Sequence, residues 1–166
     1  SLFLFFVTIR DFFGKNINRS QKISHFGFSL LILSILLNGV LAKEHSSNMR
    51  VGDEIKFLDK IIKFQNIEVI KKQNYQTLIG KFNIVDENNS LSLKPEIRIY
   101  DQPQTITSEA DISSTIFADN FLVFNIIKDD GFYNVRYQIK PFMIWIWISV
   151  LLISLGGILS LKKKNV

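Results

Sequence analysis

Residues 23–42 read ISHFGFSLLILSILLNGVLA, and residues 141–161 read PFMIWIWISVLLISLGGILSL. Neither stretch contains an Asp, Glu, Lys or Arg. A helix of about 20 residues rises about 30 Å, which is the thickness of the hydrocarbon core of a bilayer. Pro141 suits the first turn of a helix, where its missing N–H costs nothing, and Trp145 and Trp147 suit the membrane–water interface. The two stretches therefore predict two transmembrane helices.

Two other interpretations of residues 23–42 fit the sequence less well. A cleaved signal peptide has a shorter apolar core and a small-residue cleavage site. A buried helix of a soluble protein usually has a polar face. The stretch shows neither pattern, and we expect a transmembrane helix.

The basic residues indicate the orientation of the two helices. Four of them precede the first apolar stretch: Arg10, Lys15, Arg19 and Lys22. Three follow the second: Lys162, Lys163 and Lys164. Because inner loops carry the excess of Lys and Arg, we expect residues 1–22 and 162–166 to lie inside and residues 43–140 to lie outside. The apolar opening SLFLFFV is too short to span a membrane and could be the end of a preceding helix.

The formal net charge of +5 does not indicate a nucleic-acid partner. Residues 43–140 carry 13 Lys/Arg against 14 Asp/Glu, so the whole positive excess flanks the apolar stretches. No basic stripe remains that could follow a phosphate backbone. The excess instead suits contact with membrane lipid.

The outer segment is predicted to be rich in β-structure. Its apolar runs are enriched in Ile, Val, Phe and Tyr, which favour strands. The predicted strands are 61–70, 75–85, 91–100, 121–127 and 133–139. The turn signal Asp129-Asp130-Gly131 suits a hairpin, and Pro95 and Pro103 favour edges or bends. The expected fold is a membrane protein of mixed α and β structure, in which two transmembrane helices flank an extracytoplasmic antiparallel β-rich domain, sandwich or barrel-like.

The chain offers few residues for catalysis or metal binding. It has no cysteine, which excludes disulfides, thiolate zinc sites and a nucleophilic Cys. It contains only two histidines. His45 follows Glu44, but no third ligand is near in sequence, and we expect a solvated linker there. The scattered acidic residues of the outer segment are expected on the solvated face of a sheet.

His25 is the candidate site residue because it lies three residues into the first predicted helix. An ionisable side chain at membrane depth is costly and therefore indicates a function. Imidazole can be an axial ligand of haem iron, and Gly27 would let a flat macrocycle approach the helix. Alternatively, His25 lies at the headgroup level or bonds a neighbouring helix. One histidine cannot supply both axial ligands of a bis-histidine haem.

Five stretches resemble, in the same order, the C-terminal end of the CcmF/NrfE-type haem lyases of System I cytochrome c biogenesis. They are KISHFG at 22–27, MRVGD at 49–53, KPEIRIY at 94–100, TSEADI at 107–112 and YQIKPFMIWIW at 137–147. Gly156-Gly157 continues the match. The last stretch is the most specific of the five.

The resemblance implies a polytopic protein of the bacterial or mitochondrial inner membrane, with residues 43–140 on the periplasmic or intermembrane side. Such proteins receive haem from a haem chaperone and help attach it to apocytochrome c, alongside a CcmH-like thiol-handling partner. They also hold a haem b between two transmembrane histidines. His25-Phe26-Gly27 falls on the position of one ligand, so the resemblance implies that His25 binds this cofactor and ligates its iron.

Other parts of the family pattern have no counterpart in this sequence. The tryptophan-rich haem-handling segment, the paired outer histidines and the other haem b ligand all lie upstream of the matched region. We therefore expect the C-terminal part of a haem lyase, either a fragment or one product of a split gene, that needs the remainder of the lyase for catalysis. The alternative is a two-pass membrane-anchored β-domain that acts as a non-catalytic scaffold.

Overall fold

The computed structural model describes residues 2–14, 18–87, 89–127 and 131–164, and its elements form two compact units. The helical unit comprises Ser1–Ala42, Ser114–Asp119 and Lys140–Val166. The sandwich unit comprises Lys43–Ser113 and Asn120–Ile139.

The helical unit contains three helices within the described ranges. They are α1 (Leu2–Phe13), α2 (Arg19–Leu41) and α3 (Met143–Lys164). Helices α2 and α3 are long and apolar enough to cross a membrane by length and composition. Helix α2 begins before the uncharged stretch, at Arg19.

Helices α1 and α2 meet through aromatic rings and a pair of hydroxyls. The Phe26 ring lies 5.9 Å from the ring of Phe5 and 5.8 Å from that of Phe12. The Thr8 and Ser29 hydroxyl oxygens are 2.6 Å apart and hydrogen-bonded in a buried position. The predicted apolar opening is therefore a helix packed on α2, while the assignment of residues 1–22 and 162–166 to the inner side stays a prediction.

Residues 43–141 contain ten strands in the part that the structure describes. They are β1 (Lys43–Met49), β2 (Glu54–Phe57), β3 (Lys60–Lys71), β4 (Tyr75–Val85), β5 (Ser90–Leu93), β6 (Glu96–Tyr100), β7 (Thr105–Glu109), β8 (Asp111–Ser114), β9 (Ala118–Ile126) and β10 (Tyr133–Pro141). One sheet has the order β1-β10-β9-β8. The other has the order β2-β3-β4-β6-β7, with β5 also pairing β4. The registered pairs β1/β10, β2/β3, β3/β4, β4/β5, β4/β6 and β6/β7 are antiparallel, which confirms the predicted β-rich domain as a sandwich.

An aromatic cluster forms the centre of the sandwich core. The rings of Phe64 and Phe82 stack with their centroids 4.3 Å apart, and Phe124 meets both rings edge-on. Gly80 leaves room for this cluster, because a Cβ atom there would lie 2.7 Å from the Phe82 ring and 3.0 Å from the Phe124 ring. The aromatic centre therefore comes from β3, β4 and β9, and buried residues of β1, β5, β6 and β10 complete the core.

Several strand and helix boundaries differ from those predicted from the sequence. The predicted strand 91–100 is interrupted at Lys94-Pro95, where β5 ends and β6 begins, because proline has no N–H for the ladder. Pro141 is the last residue of β10 and does not open a helix; α3 begins at Met143. The predicted hairpin residues Asp129-Asp130 lie outside the described residues.

Candidate functional site

Helix α2 presents three faces, and His25 lies on the one that neither α1 nor α3 covers. Phe26 packs against α1, whereas Gly27 is buried against α3. Phe28, on the same side as His25, is 54% exposed. The His25 imidazole is exposed as well, and within the described ranges no residue hydrogen-bonds to it. Its ring nitrogens are thus open to a ligand.

His25 borders a depression of about 380 Å³ between the first turns of α2 and the last turns of α3. The depression is lined by short polar side chains and glycines: Asn18, Ser20, Gln21, Ser24, His25, Gly156, Gly157 and Ser160. The depression therefore places hydrogen-bonding groups beside the exposed imidazole.

The two neighbouring glycines of α3 have different surroundings. A Cβ atom on Gly156 would overlap the Ser24 side chain and would lie 2.8 Å from the Ser20 carbonyl oxygen. A Cβ atom on Gly157 would meet nothing within 4 Å. Gly156 therefore allows the two helices to pack closely, whereas Gly157 leaves the depression beside His25 open.

The prediction that Gly27 lets a macrocycle approach α2 is wrong. A Cβ atom at Gly27 would lie 3.0 Å from the Ile153 backbone nitrogen and 3.0 Å from the Ser149 carbonyl oxygen. The backbone of α3 already fills that space, so Gly27 serves helix packing. Sequence reasoning did not identify Gly157 as a residue of the site, and its only signal there was its place in Gly156-Gly157.

His45 lies in β1 and not in a solvated linker, so that expectation is wrong. It stands opposite Tyr137 in the ladder with β10. Its ring stacks on Phe57 with the centroids 5.3 Å apart. The neighbouring Glu44 is engaged by Gln138 and by Arg136, whose guanidinium nitrogen is 3.9 Å away. Across the described residues, no group of three or more His, Asp or Glu side chains could hold a metal ion.

Three acidic residues of the sandwich, Asp53, Asp111 and Glu96, accept hydrogen bonds from backbone N–H groups or a basic side chain. The carboxylate of Asp53 accepts the Arg50 N–H at 2.7 Å, and that of Asp111 accepts the Lys94 N–H at 2.6 Å. Glu96 accepts a hydrogen bond from Arg98 at 3.1 Å, which raises the pKa of the guanidinium. These contacts are structural.

A buried polar cluster lies within the sandwich core. The fully buried Tyr137 hydroxyl donates to Asn120 Oδ1, to which Lys60 Nζ also donates at 3.4 Å. Burial raises the pKa of Tyr137 above its ordinary range, and the charges of Asp59 and Asp86 act in the same direction. The cluster stabilises the neutral phenol and gives the core one fixed polar contact.

Comparison with known proteins identifies relatives for nearly the whole chain. The family model described as CcmF C-terminal beta-sandwich matches residues 40–141. The cytochrome c-type biogenesis protein CcmF of Pseudomonas aeruginosa is 25% identical over 156 residues, which are 92% of this chain and 24% of that protein. The cytochrome c-type biogenesis protein ccl1 of Rhodobacter capsulatus is 29% identical over 149 residues, 87% of this chain and 22% of that protein.

A solved structure shares the fold. The cytochrome c haem lyase CcmF superposes with a TM-score of 0.67 at 14% sequence identity, covering 93% of this chain and 27% of that one. This chain thus spans about a quarter of the length of the relatives that it matches.

Proposed function

Because this chain belongs to the CcmF family, whose C-terminal β-sandwich it contains, we propose that it is the C-terminal part of a membrane haem lyase that matures c-type cytochromes. The single observation that carries its specific role is the exposed, unpaired imidazole of His25 beside the opening left by Gly157. In this proposal, the His25 imidazole would hold the iron of a haem b within the membrane.

The proposed membrane placement rests on α2 and α3. Their apolar windows are long enough to cross a bilayer, and the basic residues flank them at one end. In this proposal, residues 1–22 and 162–166 lie on the inner side, and the sandwich lies on the periplasmic or intermembrane side of an inner membrane. The sandwich would then face apocytochrome c, where the thioether bonds are made.

The residues around His25 fit a haem. Imidazole is a common axial ligand of haem iron, and an open glycine position permits the close approach of a flat group. Ser24, Gln21 and Ser160 add hydrogen-bonding groups at the rim of the same depression. A b-type haem supplies a one-electron redox couple, which in this role would keep the delivered haem iron ferrous during thioether formation.

A second histidine ligand to the haem b iron would come from outside this chain. His45 is the other histidine of the sequence, and it is held in β1 by its stacking on Phe57. The proposal therefore requires the remainder of the lyase, as an upstream segment or a split partner, together with a haem chaperone, apocytochrome c and a CcmH-like thiol-handling partner.

A second candidate function is a non-catalytic scaffold, in which the helices anchor the sandwich within a membrane complex. It is favoured by the structural roles of Asp53, Asp111 and Glu96, which leave these carboxylates committed to turns and ion pairs. In this case His25 would contact a helix from the rest of the complex.

The reduced-minus-oxidised absorption spectrum of the complete assembly, purified from membranes, tests the proposal. We expect a b-type α-band that His25→Ala removes and that His45→Ala leaves unchanged, with both variants inserted in the membrane at the normal level. A normal band in His25→Ala would disprove the ligand assignment. A folded, complete assembly without haem would favour the scaffold.

A further inference from the structure

The segment Ser114–Asp119 belongs to the helical unit, although it connects two strands. It forms a tight turn that is closed by its own hydrogen bonds. The Thr115 N–H donates to the Ala118 carbonyl at 3.0 Å, and the Ala118 N–H donates to Thr115 Oγ1 at 3.1 Å. The two residues between them, Ile116 and Phe117, stand at the tip.

The backbone of this turn is attached to the beginning of α3. The Phe142 N–H donates to the Phe117 carbonyl at 2.8 Å, and Trp145 Nε1–H donates to the Ile116 carbonyl at 2.9 Å. Phe142 adopts a left-handed backbone conformation, with φ of 61°. Its carbonyl oxygen accepts a hydrogen bond from the backbone N–H of Trp145 at 3.2 Å. The tip therefore lies level with the first turn of α3.

The side chains at the tip are apolar and exposed. Ile116 is 61% exposed and Phe117 is 69% exposed. Residues 112–118 contain no charged side chain. Both tip carbonyls accept hydrogen bonds, one from the Phe142 N–H just before α3 and one from the Trp145 side chain in its first turn, and the two side chains that the tip exposes are hydrocarbon.

Helix α3 also exposes large apolar side chains farther from the turn. Trp147 is 65% exposed, Leu151 64% and Leu155 53%. Large aromatic and aliphatic side chains next to a Trp-bearing helix end are typical of the membrane–water interface. The position of the tip at the Trp-bearing beginning of a helix that is long and apolar enough to cross a membrane favours lipid over a second protein as the group that covers the tip.

We propose that Ile116 and Phe117 insert into the outer headgroup region of the bilayer and anchor the sandwich-bearing end of α3 to the membrane surface. The group that covers the tip is therefore membrane lipid. The inference rests on the proposed function, since it requires α3 to cross the membrane.

Spin labels can show whether the tip lies in lipid or in water. They can be attached at single introduced cysteines, because the chain contains no cysteine of its own. Phe117→Cys is labelled in the complete assembly, with the remaining cysteines of the assembly replaced, in lipid nanodiscs. Ile116→Cys provides a second position at the tip. Ile106→Cys in β7 is the water control, because Ile106 is 62% exposed, and Leu155→Cys in α3 is the lipid control.

Collision rates with oxygen, which enters lipid, and with a nickel chelate, which stays in water, give the result. We expect the labels at 116 and 117 to collide with the nickel chelate several-fold less than the label at 106, and to be accessible to oxygen. If the labels at both tip positions collide with the nickel chelate as often as the label at 106, the inference is overturned. Low access to both reagents would also overturn it, since protein would then cover the tip. A label at 155 that is open to the nickel chelate would contradict the proposed membrane span itself.

Discussion

Gly156 of α3 lies directly against Ser24 of α2: a Cβ atom on the glycine would be 2.8 Å from the Ser24 backbone nitrogen. Backbone cannot give way as a flexible side chain can, so Gly156→Ala should push the helices apart. Overpacking of this kind typically costs about 1–3 kcal/mol. We expect a lower unfolding midpoint of the helical signal when the purified chain is titrated with a denaturing detergent.

Gly157→Ala is the matched control for that substitution. It makes the same chemical change one residue later, where a Cβ atom meets nothing within 4 Å. Its midpoint should equal or exceed that of the parent chain, because Ala favours a helix over Gly. If both variants lowered the unfolding midpoint equally, helix packing at Gly156 would not be the cause of the lower midpoint.

A larger side chain at Gly157 should fill the depression beside His25. We expect Gly157→Leu to remove or strongly reduce the b-type α-band of the complete assembly without lowering the unfolding midpoint of the helices. Gly39→Leu is the control, because Gly39 in α2 also has nothing within 4 Å but lies outside the depression. A full α-band in Gly157→Leu would place any haem elsewhere.

The sequence predicted the elements whose residues carry strong local preferences. The strand predicted at 75–85 has the observed bounds of β4, and the strand at 61–70 differs from β3 by one residue at each end. Strand β1 was missed because KEHSSNM has few strand-favouring residues. Its position depends on pairing with β10, far along the chain, and a non-local pairing leaves no pattern in the strand itself.

The candidate site was predictable only in part, because some of its features depend on local sequence and others on how the helices pack. His25 is distinctive by residue type and by its place in an apolar stretch. The different roles of Gly27, Gly156 and Gly157 depend on which side of α3 faces α2, and all three are glycines in apolar helices. Only the packed helices show that Gly157 leaves open space, whereas Gly27 and Gly156 contact the neighbouring helix.

The two-residue turn between β2 and β3 stores backbone strain at Leu58, whose φ is 57°. Such a conformation suits glycine and costs other residues about 1 kcal/mol or more. Leu58 is 54% exposed, so its side chain contributes little packing. We expect Leu58→Gly to raise the free energy of unfolding by about 1 kcal/mol in a denaturant titration. Asp59→Gly, at the next position, should give no such gain, and a gain from both would argue against relief of strain at Leu58.

The stacked rings of Phe64 and Phe82 should dominate the stability of the sandwich. Phe82 is fully buried, and Phe82→Ala removes its contacts with Phe64 and Phe124. Truncation of a buried Phe typically costs about 3–5 kcal/mol. Ile106→Ala, at an exposed position, should change the free energy of unfolding by less than about 0.5 kcal/mol. Similar small effects in both variants would mean that the aromatic cluster is not the core of the folded domain.

Tyr137 should make the sandwich less stable in alkaline solution. Burial raises the pKa of Tyr137 above the value of 10.0 for an exposed phenol. Above pH 10 the unfolded chain therefore releases a proton that the folded chain retains, and stability falls as the pH rises. Below pH 10 both states hold the proton, and the favourable contribution of the neutral phenol is fully present.

Tyr137→Phe isolates this effect, because the other tyrosines and the lysines titrate in both proteins. At pH 8 the variant should be less stable by about 1 kcal/mol, since Asn120 loses the phenol as a hydrogen-bond donor. At pH 11 the parent chain should have lost about 1.4 kcal/mol through Tyr137, a loss that the variant does not share. The difference between the two free energies of unfolding should therefore vanish or reverse between pH 8 and pH 11. A constant difference would mean that the phenol is no less free to ionise in the folded sandwich than in the unfolded chain.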